Sequence, residues 1–119
     1  MPTRLTIRFD FAPEKRLGPE KRLGPGKIAL LEAIAATGSI SAAGRQHKMS
    51  YRRAWLLIDE LNRLFGEPVV RAQPGGLKGG GAALTAAGER ILNAYREAER
   101  KMRDAATAEI AALEALVAP

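Results

Sequence analysis

The first residues of the chain alternate strictly between apolar and polar side chains. The apolar positions are Leu5, Ile7, Phe9 and Phe11, and the polar positions between them are Arg4, Thr6, Arg8 and Asp10. A period of two, with β-branched and aromatic residues on one face, is typical of a strand that buries that face. The pattern therefore predicts a half-buried strand from Arg4 to Phe11.

A hexapeptide, Pro-Glu-Lys-Arg-Leu-Gly, occurs twice in succession after this segment, at 13–18 and 19–24. Two copies are too few for a repeat architecture, so residues 12–25 are interpreted as a lengthened basic loop. A solvated linker is the favoured interpretation of this loop. The alternative is that its basic side chains contact phosphates. Those side chains are Lys15, Arg16, Lys21 and Arg22.

Helical spacing of apolar residues begins after Pro25-Gly26. The stripe consists of Ile28, Leu31, Ile34 and Ala35. It stops at Thr37-Gly38, and glycine is frequent just past the C-terminus of a helix. The pattern predicts a first helix between these two glycine-containing pairs.

Two further helices follow in close succession. Ser39 or Ser41 is suited to cap a short second helix, and Ser50 is suited to cap a third that runs over Tyr51–Phe65. Only a few residues around Lys48 join them, and small residues on the shorter helix allow a close crossing. This arrangement predicts a helix-turn-helix motif.

The rest of the chain predicts a wing and a long helix. Val69–Ala72 and Ala82–Leu84 form a short hairpin whose glycine-rich tip carries Lys78. The tip lacks the spacing of a phosphate-binding P-loop. Thr85 is suited to cap a last helix that reaches about Leu116, roughly 48 Å away. We expect a mainly α protein with a small β wing (α+β).

The last helix carries apolar residues at spacings of three and four as far as Ala105. This regular spacing is broken before the last two residues of the stripe. The whole stripe consists of Ile91, Tyr95, Ala98, Met102, Ala105, Ile110 and Leu113. The preceding part of the chain is too small to cover so long a stripe, so a second copy is the simplest partner. We therefore divide the chain into a winged helix-turn-helix domain, 1–84, and a dimerisation helix, 85–119.

Composition narrows the chemistry. The 119 residues include no cysteine and one histidine, which excludes disulfides, thiolate sites and two-histidine zinc sites. No combination of nucleophile, base and oxyanion donor stands out, so we expect neither an enzyme nor a metal site. No apolar run approaches the roughly 18 residues of a membrane span, and no leader-like segment opens the chain. A cytoplasmic protein without a membrane partner is expected.

Charge is distributed unevenly. Residues 1–80 hold 14 Lys and Arg against 7 Asp and Glu, whereas residues 81–119 hold 5 against 6. A basic excess on a small domain favours a polyanion, because each neutralised phosphate releases counterions. Nucleic acid, and double-stranded DNA in particular, is the leading candidate for this polyanion, and an anionic membrane surface is the second.

The third helix shows which side chains would meet DNA. On a helical wheel, one face is apolar and the opposite face is polar or exposed. The apolar face comprises Ala54, Ile58, Leu61 and Phe65, and the opposite face comprises Arg52, Leu56, Asp59 and Arg63. Arginine on such a helix can bond guanine bidentately, and Leu56 can touch a thymine methyl group. Trp55 is assigned to the core or its boundary against the wing. Asp59 and Arg63 are expected to lie outside the groove or to pair with each other.

The full set of expected DNA contacts also includes phosphate contacts from the helix starts, the turn and the wing. The set is Ser39, Lys48, Ser50, Tyr51, Arg52, Arg53, Leu56, Arg71 and Lys78.

Several of these motifs closely resemble the N-terminal domain of the ModE family, bacterial molybdate-responsive transcription regulators related to LysR-type winged helices. They are Thr37-Gly38-Ser39-Ile40-Ser41-Ala42-Ala43, Met49-Ser50-Tyr51-Arg52-Arg53-Ala54-Trp55, Gly75-Gly76, Gly79-Gly80-Gly81-Ala82, Leu84-Thr85 and Gly88-Glu89. The resemblance covers about residues 26–100. It implies a winged helix-turn-helix homodimer on a palindromic operator, joined through the last helix, with Ser50 to Arg53 facing the groove and Lys78 on the wing.

Three departures from the family pattern stand out. The hexapeptide is additional, and Arg71-Ala72 replaces an acidic-basic pair common before the wing. The family continues into two molybdate-binding domains, whereas this sequence ends at Pro119, so we expect no molybdate site and no other cofactor here.

Three functions stay open on the sequence. The leading hypothesis is a sequence-specific regulator with a role in molybdenum homeostasis. The second is a non-specific architectural protein that coats nucleic acid. The third is a subunit that dimerises with a separate molybdate sensor protein.

Overall fold

A computed structural model describes residues 3–11, 21–74 and 81–119. These residues form five helices and two antiparallel two-stranded sheets. In chain order the elements are β1 (Phe9–Asp10), β2 (Arg22–Leu23), α1 (Pro25–Thr37), α2 (Ile40–Gln46), α3 (Tyr51–Phe65), β3 (Val70–Gln73), β4 (Gly81–Leu84), α4 (Ala86–Ala105) and α5 (Thr107–Leu116). The predicted α+β winged helix-turn-helix is confirmed.

Helix α1 is the centre of the core. It contacts α2, α3, α4 and β4, so it is buried on more than one face. The largest side chains that lie fully inside the described part of the protein are Ile28, Leu30, Leu31, Ile34, Ile58, Leu61 and Val69. The expected stripe was wrong at Ala35, which is exposed, because Leu30 and Ala33 occupy the second buried face instead. The helix ends as predicted, with Gly38 in the left-handed region at φ 70°.

Helices α2 and α3 begin at the predicted serines. The Ser39 hydroxyl accepts a hydrogen bond from the Ala42 amide at 3.1 Å, and the Ser50 hydroxyl accepts one from the Arg53 amide at 3.0 Å. Each cap satisfies an amide that the helix itself leaves unpaired. The turn between the helices is tight, because the Met49 amide bonds the Gly44 carbonyl at 2.9 Å.

The wing hairpin has the predicted strands, with β3 shifted by one residue. Val70 pairs with Leu84 and Gln73 with Gly81. The hairpin is held at its base, where the Ala82 amide bonds the Gly38 carbonyl at 2.9 Å. Helix α4 lies so close that a Cβ on Gly88 would come within 2.2 Å of the Val69 carbonyl oxygen, and only glycine fits there. Lys78 and the hexapeptide residues before Lys21 lie outside the described residues.

The N-terminal segment differs from the predicted strand. Its burial alternates as expected, with Leu5, Ile7 and Phe9 half-buried, but only Phe9–Asp10 form a regular strand. The reason is the short partner, since β2 offers two residues for pairing. The eight-residue strand was therefore wrong in length, and Phe11 is exposed.

The last helix is interrupted. Ala106 has φ −101° and ψ 16°, outside helical geometry, and separates α4 from α5. The Thr107 hydroxyl donates to the Asp104 carbonyl at 2.9 Å, which gives this carbonyl a partner at the break. The single helix predicted from Thr85 to Leu116 was wrong in this respect. In the part of the chain that the structure describes, no helix is long and apolar enough to cross a membrane.

Candidate nucleic-acid interface

Helix α3 presents one face to the core and one to solvent. Its buried residues are Ala54, Leu57, Ile58 and Leu61. The predicted apolar face includes Phe65 and omits Leu57, whereas in the structure Phe65 is half-buried and Leu57 is buried. On the opposite face Arg52, Leu56 and Arg63 are exposed as predicted, and Asp59 is half-buried. Arg53, to one side of this face, is also exposed.

The arginines on this face differ in their partners. Arg63 pairs with Asp59 one turn earlier at 3.2 Å, which confirms the expected pair. Among the described residues, neither Arg52 nor Arg53 has a carboxylate within ion-pair distance. Their guanidinium groups are therefore available for an anionic or hydrogen-bonding partner at the N-terminal half of α3.

A buried ion pair holds α3 against the core. The Lys27 ammonium lies 3.3 Å from a carboxylate oxygen of Glu60 and donates to the Arg22 carbonyl at 2.8 Å. Sequence reasoning missed both residues, because periodicity treats a lysine and a glutamate as surface positions. One signal was available, since Lys27 directly precedes the buried Ile28 on the first turn of α1.

A groove runs between α3 and the wing. Its volume is about 310 Å³, and its walls come from the start of α2, the first turns of α3 and both wing strands. Tyr51 and Trp55 form one wall in an edge-to-face pair with centroids 6.2 Å apart. Arg71 from β3 forms part of the opposite wall and is exposed. Trp55 thus lies at the boundary next to the wing and is not buried.

The remaining expected DNA contacts surround this groove. Ser39 lines it and Ser50 lies at the start of α3, each hydroxyl serving as a helix cap. Lys48 is exposed in the turn, with φ 55°. The structure therefore brings Ser39, Tyr51 and Arg71 to one groove, with Arg52 and Arg53 on the adjoining helix face. In the basic loop, Arg22 lies 3.5 Å from Asp10.

The expected dimerisation stripe is partly covered within the protomer. Tyr95 is only 2% exposed, and its ring meets the edge of Phe9 at 6.0 Å. Burial and the nearby Glu99 carboxylate raise the pKa of the Tyr95 hydroxyl. The members Ile91, Ala98 and Ile110 are half-buried. Ala105 is exposed, and Met102 and Leu113 are 44% and 65% exposed.

The described residues do not form a metal-binding cluster. In 3–11, 21–74 and 81–119, no group of three or more His, Asp or Glu side chains could hold an ion. What these residues provide is a cationic helix face beside an aromatic groove.

Comparison with known sequences identifies a family pattern. The pattern of the bacterial regulatory helix-turn-helix proteins of the lysR family matches residues 26–89, from the first turn of α1 to the first turn of α4. More than half of the chain is therefore accounted for by this family.

Individual relatives carry molybdenum-related names. Molybdenum-pterin-binding protein MopB of Rhodobacter capsulatus is 54% identical over 68 residues, which are 57% of this chain and 25% of MopB. Molybdenum transport protein ModE of Azotobacter vinelandii is 45% identical over 78 residues, which are 66% of this chain and 29% of that protein. The DNA-binding transcriptional dual regulator ModE of Escherichia coli K12 is 43% identical over 68 residues, 57% of this chain and 26% of that regulator. The chain thus spans about a quarter of the length of these relatives.

A solved structure agrees on the fold. ArgP from Mycobacterium tuberculosis superposes with a TM-score of 0.52 at 21% identity, over 72% of this chain and 30% of ArgP. The resemblance to the ModE N-terminal domain is confirmed, and the matching family and the Escherichia coli relative are named as regulators. The chain belongs to the lysR family of bacterial regulatory helix-turn-helix proteins, and its helix-turn-helix is similar to the N-terminal part of the ModE relatives.

Proposed function

We propose that this protein is a transcription regulator that binds a palindromic DNA operator sequence-specifically as a homodimer. The observation that carries the proposal is the N-terminal half of α3, where Arg52 and Arg53 are exposed and have no carboxylate partner among the residues that the structure describes. The Ser50 cap and the Lys27–Glu60 ion pair fix the helix on which they lie. A rigid helix with free guanidinium groups suits a DNA groove.

Base reading is assigned to the outermost side chains of α3. Arg52 lies directly opposite the buried face, where it can donate two hydrogen bonds to the O6 and N7 atoms of guanine. Leu56 is exposed one turn later and can contact a thymine methyl group. These two side chains supply the sequence preference.

Phosphate contacts are assigned to the surrounding cations and helix starts. Arg53, Lys48 and Arg71 are exposed around the same surface. The N-terminus of α3 offers backbone amides beyond the Ser50 cap. Lys78 of the wing tip is assigned to the neighbouring minor groove on the basis of the sequence alone. These contacts set affinity and orientation and leave base choice to α3.

The homodimer is assigned to the last two helices. Helix α5 has no buried residue, although it carries Ile110, Leu113 and Leu116. Apolar side chains in that number are stabilised by a second copy. Two linked domains would then meet half-sites about one helical turn apart.

Molybdate sensing is assigned elsewhere. The names of the relatives link them to molybdenum, but the match covers only about a quarter of their length. We propose that residues 1–119 bind no molybdate, and that any response requires a further domain or a separate sensor protein. Because its target is DNA, we place the regulator in the bacterial cytoplasm.

The test is to capture genomic fragments with the purified chain at physiological salt and to sequence them. A regulator of this kind enriches a small set of fragments that share a twofold-symmetric motif. It retains them when random duplex is added in excess, because specific binding exceeds non-specific binding by roughly 10³-fold or more. Retained fragments with the composition of the input would instead indicate an architectural protein and overturn the proposal.

A further inference from the structure

The groove between α3 and the wing has a mixed lining. The aromatic rings of Tyr51 and Trp55 form its apolar side. The hydroxyls of Ser39 and Ser41 and the guanidinium group of Arg71 supply polar groups around them. A groove that served only the core would be closed by apolar side chains on both walls.

Both aromatic side chains are exposed, although buried positions lie close to them on α3. Tyr51 is 57% exposed and Trp55 is 43% exposed, although the fully buried Ile58 lies less than one turn beyond Trp55 on the same helix. The two rings line the groove together, so two large aromatic side chains adjoin on one exposed surface. A contiguous apolar surface of this kind marks an interaction site, whereas a single exposed residue would not.

The position of Trp55 on α3 indicates which part of a DNA duplex it would contact. On the helical wheel it lies about 60° from Arg52, on the side that faces β3. When α3 occupies a major groove and the wing approaches the next minor groove, one DNA strand must pass between them. That strand carries deoxyribose rings between its phosphates, and the groove is lined by aromatic rings together with Arg71 and two serines.

We infer that Trp55, with Tyr51 beside it, is a DNA contact residue that seats the deoxyribose rings of one strand of the duplex, while Arg71 holds an adjoining phosphate. The inference rests on the proposed function and adds a contact that makes affinity depend on aromatic surface as well as charge. Trp55 is a positioning contact: it sets the depth and angle at which α3 presents Arg52 to the bases.

The chain contains a single tryptophan, so its fluorescence reports on this contact directly. The probe is a duplex of the sequence retained in the genomic capture. Binding is followed independently by the anisotropy of a fluorescein-labelled copy, and acrylamide quenching of Trp55 is measured with an unlabelled copy. We expect strong quenching in the free protein and a loss of more than half of that quenching constant in the complex.

Three variants separate the aromatic contact from charge and from stability. Trp55→Ala should weaken binding roughly tenfold through lost apolar contact, with an unchanged slope of log Kd against log salt, and Trp55→Phe should recover most of the affinity. Arg71→Gln should lower that slope by about 0.9, as expected for one lost phosphate contact. Phe11→Ala is the matched control, since Phe11 is 41% exposed but packs by the C-terminal end of α3 near Phe65, and it should leave the affinity unchanged.

These outcomes distinguish a failure of the proposed Trp55 contact from a failure of the proposed DNA-binding function. Anisotropy that shows binding while Trp55 stays equally accessible to acrylamide overturns the inference and leaves the proposed function standing. A loss of affinity in Trp55→Ala that accompanies an equal loss in thermal stability, with none in Trp55→Phe and no protection from acrylamide, also overturns it. Absence of any duplex binding by anisotropy overturns both.

Discussion

The hydroxyl of Tyr95 in α4 donates a hydrogen bond to the main-chain carbonyl of Ile7, 88 residues earlier in the chain. Phe9 meets the ring of Tyr95 edge-on at 6.0 Å. Thr3 reaches further along the same surface and donates to the carboxylate of Glu114 in α5. The N-terminal segment thus lies along α4 and α5, and Tyr95 is the point at which it is attached.

Replacement of Tyr95 by phenylalanine should make the stability of the protein less dependent on alkaline pH. Near neutral pH the variant loses one hydrogen bond, and the free energy of unfolding should fall by about 1 kcal/mol. The pKa of Tyr95 is raised in the folded state, so the native protein keeps the proton after the unfolded chain has lost it. The stabilisation is therefore complete below the unfolded pKa, near 10, and is lost as the pH rises through the folded pKa.

The measurement is denaturant unfolding of both proteins from neutral pH to above pH 10. The difference in the free energy of unfolding between native protein and Tyr95→Phe should stay constant below that pKa and shrink above it. A difference that grows with pH would show that the ionised phenolate is favoured in the folded state, contrary to the structure.

The caps, the helix-turn-helix and the wing could be predicted because their signals are local. Ser50 is followed by helix-forming residues and Gly66 comes after the last of them, so both ends of α3 are encoded within the helix itself. The same periodicity predicts that the arginine side chains near the start of α3 are exposed. The break in the last helix also has a signal in the sequence, because the regular spacing of apolar residues stops after Ala105.

The errors concern properties that depend on distant partners. The strand at Phe9–Asp10 is short because β2 offers only two residues to pair with. The break in the last helix falls at Ala106. Alanine is the best helix former, so the residue type at this position does not predict a break. Lys27 is buried because Glu60 and the Arg22 carbonyl meet it, and neither contact is visible in a local pattern.

Removal of either partner of the Lys27–Glu60 pair should destabilise the fold strongly. Both side chains are largely buried, so Glu60→Gln leaves an ammonium without its counter-charge, at a cost of roughly 3 kcal/mol in the free energy of unfolding. Lys27→Met should cost a similar amount, because the Glu60 carboxylate then lies unpaired in the same place. Denaturant unfolding at neutral pH measures both.

The double variant Lys27→Met/Glu60→Leu is the control for this pair. It removes both charges and fills the space with apolar atoms, so it should be more stable than either single variant. If the two single effects simply add in the double variant, the residues do not interact as the structure shows. Arg63→Ala, which breaks the exposed pair with Asp59, should change stability by less than about 1 kcal/mol.

A charge placed on the exposed part of the dimerisation stripe should separate the two copies. Leu113 is 65% exposed in the protomer, so Leu113→Glu should leave protomer folding intact while it introduces a carboxylate into the proposed interface. Sedimentation equilibrium should show a dimer for the native chain and a monomer for the variant. Ala108→Glu adds the same charge at an exposed position outside the stripe and should remain dimeric. A native chain that sediments as a monomer at micromolar concentration would contradict the homodimer.

Arg52→Ala should weaken operator binding and relax base preference at one position of each half-site. The guanidinium group is exposed and has no carboxylate partner in the described residues, so its loss does not disturb the fold. A bidentate contact to guanine corresponds to roughly 1–3 kcal/mol of binding free energy. Competition titrations against duplexes substituted at each position of the captured motif measure the change. Arg63→Ala removes the same charge about three turns further along α3, where it pairs with Asp59, and should leave the preference intact. Equal losses on the operator and on random duplex would assign Arg52 to the phosphates and not to the bases.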